Sequence, residues 1–254
     1  AQTEKLTDYV NPFVGTDGYG NVYPGAQIPF GGIQMSPDTD SRFYDAASGY
    51  KYNHLTLMGF SLTHLSGTGI PDLGDFLFIP GTGEMKLEPG THEDPDKGYR
   101  SRYSHDKEWA SPNYYAVELA DYGVKAEMTS GVRSGMFRFT YPESDSAFIM
   151  IDMNHTLWQS CEWSNLRMIN DSTITGYKLV KGWGPERHVY LTATFSKKLT
   201  GLRFMQDKKP VIYNTSRFRS SYEAWGKNLM ACLSFDTKAG EEVIVKTAVS
   251  AVST

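Results

Sequence analysis

From about residue 114 onwards, apolar and polar side chains alternate along the chain. Residues 124–129 alternate strictly, and Phe137, Phe139 and Tyr141 fall on one face of the next run. Because successive side chains of a strand point to opposite faces, this pattern predicts strands with one buried face. Further strands are predicted at residues 148–151, 174–179, 189–195, 230–235 and 243–249.

The first 100 residues read differently, because glycine, proline and short polar residues interrupt them densely. Such stretches are typical of turns and loops. Short strands are predicted within them at residues 33–35 and 76–79, and one short helix, interrupted by Gly226, is predicted at residues 220–229. Many short strands separated by turns indicate an all-β fold. We expect residues 1–254 to form a single domain, a large twisted β-sandwich with long loops and little helix.

Composition narrows the choice of partner. The chain has 254 residues and a net charge of −4 at pH 7, with no basic block, which argues against nucleic acid or an anionic membrane. It has no run of about 18 apolar residues, so no membrane span is expected. Aromatic residues make up 13%, including 16 tyrosines and 5 tryptophans. These side chains suit a surface that stacks on sugars, and they suit any β-rich protein equally.

The two cysteines, Cys161 and Cys232, leave two alternatives open: one disulfide or two buried thiols. In the strand at residues 230–235, Ala231 and Leu233 share one face, so Cys232 points the other way. The chain starts with Ala1 rather than Met, which fits either a removed signal peptide or a truncated sequence. Glycosylation sequons occur at three asparagines, Asn154, Asn170 and Asn214.

Residues 63–75 carry the densest candidate chemistry. This glycine-rich segment contains His64, Ser66, Thr68, Asp72 and Asp75. Glycines let the backbone approach a ligand closely, while histidine and carboxylates can exchange protons or bind hydroxyl groups. Two structural interpretations compete with this: that His64 and Asp72 cap backbone groups, and that the two aspartates cap turns instead of acting as a glycosidase pair. For the aspartates, the structural interpretation is favoured.

Other motifs are weaker. The chain lacks the spacings of zinc or calcium sites, and its two Asp-x-Asp segments, 38–40 and 94–96, are interpreted as solvated turns. Trp158, Trp163 and Trp183 are placed between strands or near strand ends. Trp183 is predicted to lie on an exposed turn, where it either stacks on a sugar ring or folds back onto the core.

Several segments, taken in order, resemble one family. They are Val10-Asn11-Pro12-Phe13-Val14-Gly15-Thr16, Tyr23-Pro24-Gly25-Ala26, Pro29-Phe30-Gly31, Ser36-Pro37-Asp38-Thr39, Gly49-Tyr50, Gly59-Phe60-Ser61, residues 63–69 and Asp72-Leu73-Gly74-Asp75. Their order and spacing resemble the N-terminal domain of glycoside hydrolase family 92, the exo-acting α-mannosidases. Gly182-Trp183 and Phe195-Ser196 resemble a weaker, later part of the pattern. Gly32 and Leu62 depart from it, because methionine and histidine are expected there.

The resemblance implies a secreted, calcium-dependent, inverting α-mannosidase of bacterial type, found outside the cell, in the periplasm or at the cell surface. It implies that a helical second domain follows and supplies the catalytic acid and base. This chain would then contain no catalytic residue, and most calcium ligands would lie in the second domain. Its partners would be mannose-containing glycans and its own C-terminal helical domain.

The resemblance also implies which residues form one wall of the active site. The candidate substrate-binding residues are Asn21, Tyr23, His64, Ser66, Gly67, Thr68, Asp72, Asp75 and Trp183. Two other functions remain open at this point: a free-standing carbohydrate-binding sandwich without catalysis, and a structural docking domain. An exposed row of tryptophan and tyrosine on one sheet face would favour the carbohydrate-binding alternative.

Overall fold

The computed structural model describes residues 5–41, 44–212 and 222–254. Eighteen strands lie in these ranges. In chain order they are β1 Ser36–Asp38, β2 Thr56–Leu57, β3 Gly59–Ser61, β4 Leu77–Thr82, β5 Ser101–Arg102, β6 Glu108–Ser111, β7 Tyr114–Leu119, β8 Val124–Ser130, β9 Ser134–Tyr141, β10 Ser144–Asp152, β11 Ser160–Asn170, β12 Thr173–Lys181, β13 Arg187–Phe195, β14 Gly201–Gln206, β15 Lys209–Pro210, β16 Glu223–Gly226, β17 Leu229–Thr237 and β18 Glu241–Ser250.

Helical structure in the described residues is confined to four short 3-10 segments, Leu6–Tyr9, Tyr44–Ala46, Pro95–Lys97 and His105–Lys107. Within the same ranges, no helix is long and apolar enough to cross a membrane. The prediction of an all-β fold is confirmed.

Two large antiparallel sheets form the sandwich. The seven-stranded sheet has the order β1-β3-β4-β10-β17-β14-β15, and the nine-stranded sheet has the order β16-β11-β12-β13-β18-β9-β8-β7-β6. Strands β2 and β5 form a separate pair. The inner faces of the two large sheets share one apolar core, in which the rings of Phe78 and Phe137 lie 5.1 Å apart. Alternating side chains from each strand build this core, as the period-two pattern predicts.

The outer face of the seven-stranded sheet carries a second, smaller core. Met150 on β10 and Met230 and Cys232 on β17 point to this face. Ala231, Leu233 and Phe235 point to the main core, so the predicted orientation of Cys232 is confirmed. Tyr99 covers part of this smaller core.

Three sequence predictions are corrected. The helix predicted at residues 220–229 is wrong: Glu223–Gly226 is an edge strand paired with β11, because Ala224 and Gly226 point inward while Trp225 points out. Residues 220 and 221 lie outside the described ranges. The strand predicted at 33–35 begins at Ser36, and Met35 forms only an isolated bridge to Ala26. Trp163 lies inside β11, a strand that the sequence did not reveal.

Candidate functional site

The glycine-rich loop, residues 63–75, is closed at its base by hydrogen bonds between its two ends. The Leu62 amide donates to the Asp75 carbonyl at 2.9 Å, and the Gly74 amide donates to the Thr63 carbonyl at 2.8 Å. The Thr63 hydroxyl donates to the Asp75 carboxylate at 2.7 Å. Because β3 leads into the loop and β4 follows it, this base is part of the seven-stranded sheet. The loop is therefore fixed where it leaves the sheet.

Asp75 is fully buried and ion-paired at the base of the loop. Its Oδ1 lies 3.2 Å from the Lys178 ammonium, and its Oδ2 lies 2.5 Å from Nη1 of Arg187. Burial alone would raise the carboxyl pKa, but the two cations outweigh it and hold the pKa of Asp75 below its usual value. The side chains of Asp75 and Lys178 are fully buried, so loss of either charge would leave the other without that compensation.

Lys178 also connects Asp75 to the 153–159 segment. It is fully buried on β12, and its ammonium donates to the His155 carbonyl at 2.6 Å. Arg187 also donates from Nη2 to Oε1 of Gln159 at 3.3 Å. The glycine-rich loop, the 153–159 segment and the β12–β13 hairpin are thereby joined through Asp75.

A second buried carboxylate, Asp38, bridges two histidines. Its Oδ1 lies 2.9 Å from Nε2 of His64, and its Oδ2 lies 3.0 Å from Nε2 of His155. Burial would raise the pKa of Asp38, but both histidines outweigh it and hold that pKa well below the usual range. Nδ1 of His64 lies 2.7 Å from the Gln34 carbonyl oxygen, which can only accept, so that nitrogen donates. His64 therefore orients the start of the loop and faces inward.

This geometry corrects one sequence interpretation. Residues 38–40 are not a solvated turn, because Asp38 and Asp40 are both buried. Gly49 explains how the chain fits around Asp38: it has φ +86°, and a Cβ there would lie 2.1 Å from Oδ1 of Asp38. Gly74 has the same role beside Leu157, whose amide donates to the Leu73 carbonyl at 2.9 Å.

The rim of the loop is exposed. Ser66, Gly67 and Thr68 are all open to solvent above the buried base. The Gly67 amide donates to the Asn21 carbonyl at 2.7 Å, which brings the first loop against the rim. The Oδ1 atom of Asn21 is buried there without a hydrogen-bond partner. These residues form a fixed polar surface with hydroxyl groups and a backbone that a ligand can approach.

The remaining candidates are placed around this rim. Tyr23 is buried with its ring 5.1 Å from that of His64, and its hydroxyl donates to Oε1 of Gln27. Asp72 accepts from the Leu73 amide at 2.6 Å, which agrees with the turn-capping interpretation. Asp75 and His64 are enclosed by protein partners, so the geometry favours a supporting role for both. Direct contact with a ligand stays a prediction for the exposed residues.

Trp183 is exposed on the β12–β13 turn, as the sequence predicts, with 72% of its surface accessible. Its neighbour Gly182 packs against Gln159, a Cβ there lying 2.5 Å from the Gln159 side chain. Sequence reasoning did not single out Trp158, which is 66% exposed and has φ +62°. In the sequence, Trp158 is recognisable only as a tryptophan between two strands, to which no function was assigned.

Both cysteines are free and buried. Burial raises the pKa of the Cys161 thiol, and it raises the pKa of Cys232 to about 11. Of the two alternatives, the structure has two buried thiols.

Calcium prefers six to eight oxygen ligands drawn largely from carboxylates. Among residues 5–41, 44–212 and 222–254, no three histidine, cysteine, aspartate or glutamate side chains converge as a metal site requires. Asp38 and Asp75 are each occupied by cationic or histidine partners. These residues do not fit a calcium site.

The fold defines a β-sandwich domain, and the glycine-rich loop, fixed by the ion pairs of Asp75, gives it a rigid polar rim. Residues 9–250 match the glycosyl hydrolase family 92 N-terminal domain, and the chain belongs to that family. A solved family GH92 α-mannosidase, BT3965 from Bacteroides thetaiotaomicron, is 97% identical over the whole chain, with a TM-score of 0.97. A second solved structure, of the family GH92 glycosyl hydrolase ccman5, is 26% identical over 98% of this chain, with a TM-score of 0.80.

This chain covers only 34% of the BT3965 chain and 33% of the ccman5 chain. An uncharacterized secreted glycosidase of Arthroderma benhamiae is 29% identical over 140 residues, which are 54% of this chain and 18% of that protein. The chain therefore spans about a third of the length of these solved relatives, and its match covers a smaller share of the fungal protein.

Proposed function

We propose that this domain forms one wall of the mannose-binding active site of an exo-α-mannosidase. The observation that carries the proposal is the 97% identity over the whole chain to a solved α-mannosidase. The same relative has also been solved with mannoimidazole bound. The exposed rim at residues 66–68, held by a buried ion-paired base, supplies a surface for hydroxyl groups.

In the proposed enzyme, this domain contributes orientation. A rigid rim holds a sugar in one pose, so that less freedom is lost when the reaction occurs. The catalytic acid and base belong to the helical domain that follows. A solved family member, BT2199 from Bacteroides thetaiotaomicron, is described as an inverting mannosidase. For this enzyme we propose the same outcome: a carboxylic acid protonates the leaving oxygen while a second carboxylate activates the attacking water.

An α-mannosidase assay tests whether the catalytic acid and base lie outside this domain. We expect no hydrolysis of an α-mannoside by the 254-residue chain, and hydrolysis by a protein of full family length that contains it. Turnover by the chain alone would place the catalytic carboxylates in this domain and overturn the proposal. Inactivity of the longer protein would remove the α-mannosidase assignment.

Calcium dependence and export complete the proposal. The described residues offer no calcium site, so we assign the calcium ligands to the helical domain. Chelation should lower the activity of the longer protein and leave the thermal unfolding of this chain unchanged. The secreted glycosidase of Arthroderma benhamiae supports export from the cell. Detection of the protein only in the cytoplasmic fraction would contradict export.

One observation favours the alternative of a carbohydrate-binding sandwich without catalysis. Three aromatic residues lie along one cross-strand line of the nine-stranded sheet. Trp225 and Tyr177 both pair with Asn165, which separates them, and Tyr177 pairs with Tyr190. Trp225 is 55% exposed. Binding of a mannan by the chain that is lost in Trp225→Ala would support this alternative.

A further inference from the structure

A cavity of about 800 Å³ opens on the outer face of the seven-stranded sheet, separate from the rim of the glycine-rich loop. Its apolar floor includes Met58, Tyr99, Met205 and Met230. Volumes of this size are typical of small-molecule sites. None of the functions proposed above uses this cavity.

Trp158 stands at the cavity with its indole largely in solvent. A bulky residue with φ +62° is strained, and such strain persists only where the surroundings impose it. Here the preceding Leu157 is anchored to the Leu73 carbonyl, and Thr156 and Gln159 hydrogen-bond to each other on either side. The backbone is therefore fixed at both sides of an exposed indole.

Asp152 supplies a polar group at the end of β10, next to the methionines of the floor. Its Oδ1 accepts from the Asn154 amide at 2.8 Å, and the buried Tyr99 lines the same cavity. A carboxylate has about four lone-pair sites, so it retains capacity for further donors. The Asn154 side chain lines the same cavity.

The charges at the cavity are largely neutralised by protein partners. Lys208 pairs with Glu88, and Lys227 pairs with Glu162 at 3.2 Å. Asp207 accepts from the Asn228 amide nitrogen at 2.7 Å. With the lysines paired in this way, the described residues that line the cavity offer no free cationic cluster for an anionic ligand.

We propose that this cavity is a second carbohydrate site, in which Trp158 stacks on a neutral pyranose ring while Asp152 and Asn154 bind its hydroxyl groups. An exposed indole over a polar cavity matches a ligand with one apolar face and many hydroxyls. The identity of the sugar, a mannose unit of the glycan, rests on the proposed function.

Calorimetry of this chain with an α-linked mannobiose tests the site. Trp158→Asn removes the indole and places a residue that tolerates positive φ. We expect saturable binding to the unsubstituted chain and at least tenfold weaker binding to this variant. Trp109→Ala, an exposed tryptophan on β6, should bind as the unsubstituted chain does.

The fold is checked by far-UV circular dichroism and the urea midpoint. As a second readout, mannobiose should change the tryptophan fluorescence of the unsubstituted chain and not that of Trp158→Asn. Absence of saturable binding, equal binding by Trp158→Asn, or loss of binding only in Trp225→Ala would overturn the proposal. Its failure is distinct from failure of the proposed function, which is measured as hydrolysis by the longer protein.

Discussion

Nη1 of Arg187 lies 2.5 Å from Oδ2 of Asp75, although 112 positions separate the two residues in the chain. The Lys178 ammonium lies 3.2 Å from the other oxygen of the same carboxylate. One buried carboxylate thus fixes the glycine-rich loop to the β12–β13 hairpin. The exposed rim of that loop is held in position by this ion-paired base.

Asp75→Asn should destabilise the domain strongly. The substitution leaves Lys178 buried without its counter-charge, and breaking one side of a buried ion pair costs about 3–5 kcal/mol. Urea denaturation would measure this loss in the free energy of unfolding. Asp171→Asn is the matched control, since its pair with Lys198 is exposed and screened by solvent, so its removal should change stability little. Similar small losses in both variants would contradict the structural role of Asp75.

The same carboxylate makes stability depend on acid pH. The pKa of Asp75 is lower in the folded state than in the unfolded chain, so its contribution is complete above the unfolded pKa of about 3.9. That contribution is lost as the pH falls through the lower folded pKa. The free energy of unfolding, measured by urea titration from pH 6 to pH 2.5, should fall over this range. The fall should be shallower in Asp75→Asn, and identical slopes would argue against this linkage.

Cys161 and Cys232 should resist thiol reagents in the folded protein. Both thiols are buried, and the pKa of Cys232 is raised to about 11, so little thiolate forms at pH 8. Ellman's reagent should react with neither thiol in the native chain and with both after unfolding in denaturant. Detection of no thiol after unfolding under non-reducing conditions would indicate a disulfide instead.

Trp183→Ala should separate ligand contact from folding. Because 72% of this side chain is exposed, its removal should change the free energy of unfolding by no more than about 0.5 kcal/mol. Loss of a stacked aromatic contact costs about 0.5–1.5 kcal/mol, which lowers kcat/KM of the longer protein by up to about tenfold. Unfolding curves and mannoside kinetics measure the two effects. An unchanged kcat/KM would remove Trp183 from the site.

The longer strands β8, β9, β10, β12, β13, β17 and β18 were predictable because each buries one face, and the period-two pattern records that burial directly. Strand β11 was missed, since polar residues such as Ser164 and Asn165 are buried in it through hydrogen bonds to β16. The helix predicted at 220–229 failed for a related reason. A four-residue edge strand holds too few alternating positions for a pattern to be recognised.

The sequence allowed us to predict which segment forms the candidate site, but not which distant side chains contact that segment. The density of glycine and polar residues at 63–75 marked the loop. Nothing in that segment showed that Lys178, Arg187 or His155 would meet it, because those contacts arise only when distant strands pair. Trp158 was placed between strands without a role for the same reason, because the contact that anchors the neighbouring Leu157 to the loop forms only in the folded chain.

The most direct test of the central claim is the kinetics of Ser66→Ala/Thr68→Val in a protein of full family length. This double variant removes two rim hydroxyls and leaves the Asp75 base intact. With about 0.5–1.5 kcal/mol lost per hydrogen bond, kcat/KM for an α-mannoside should fall between about fivefold and about 150-fold. Ser172→Ala/Thr173→Val, at the β11–β12 turn, should leave it unchanged. An unaltered kcat/KM in the rim variant would contradict the claim that this loop forms a wall of the mannose site.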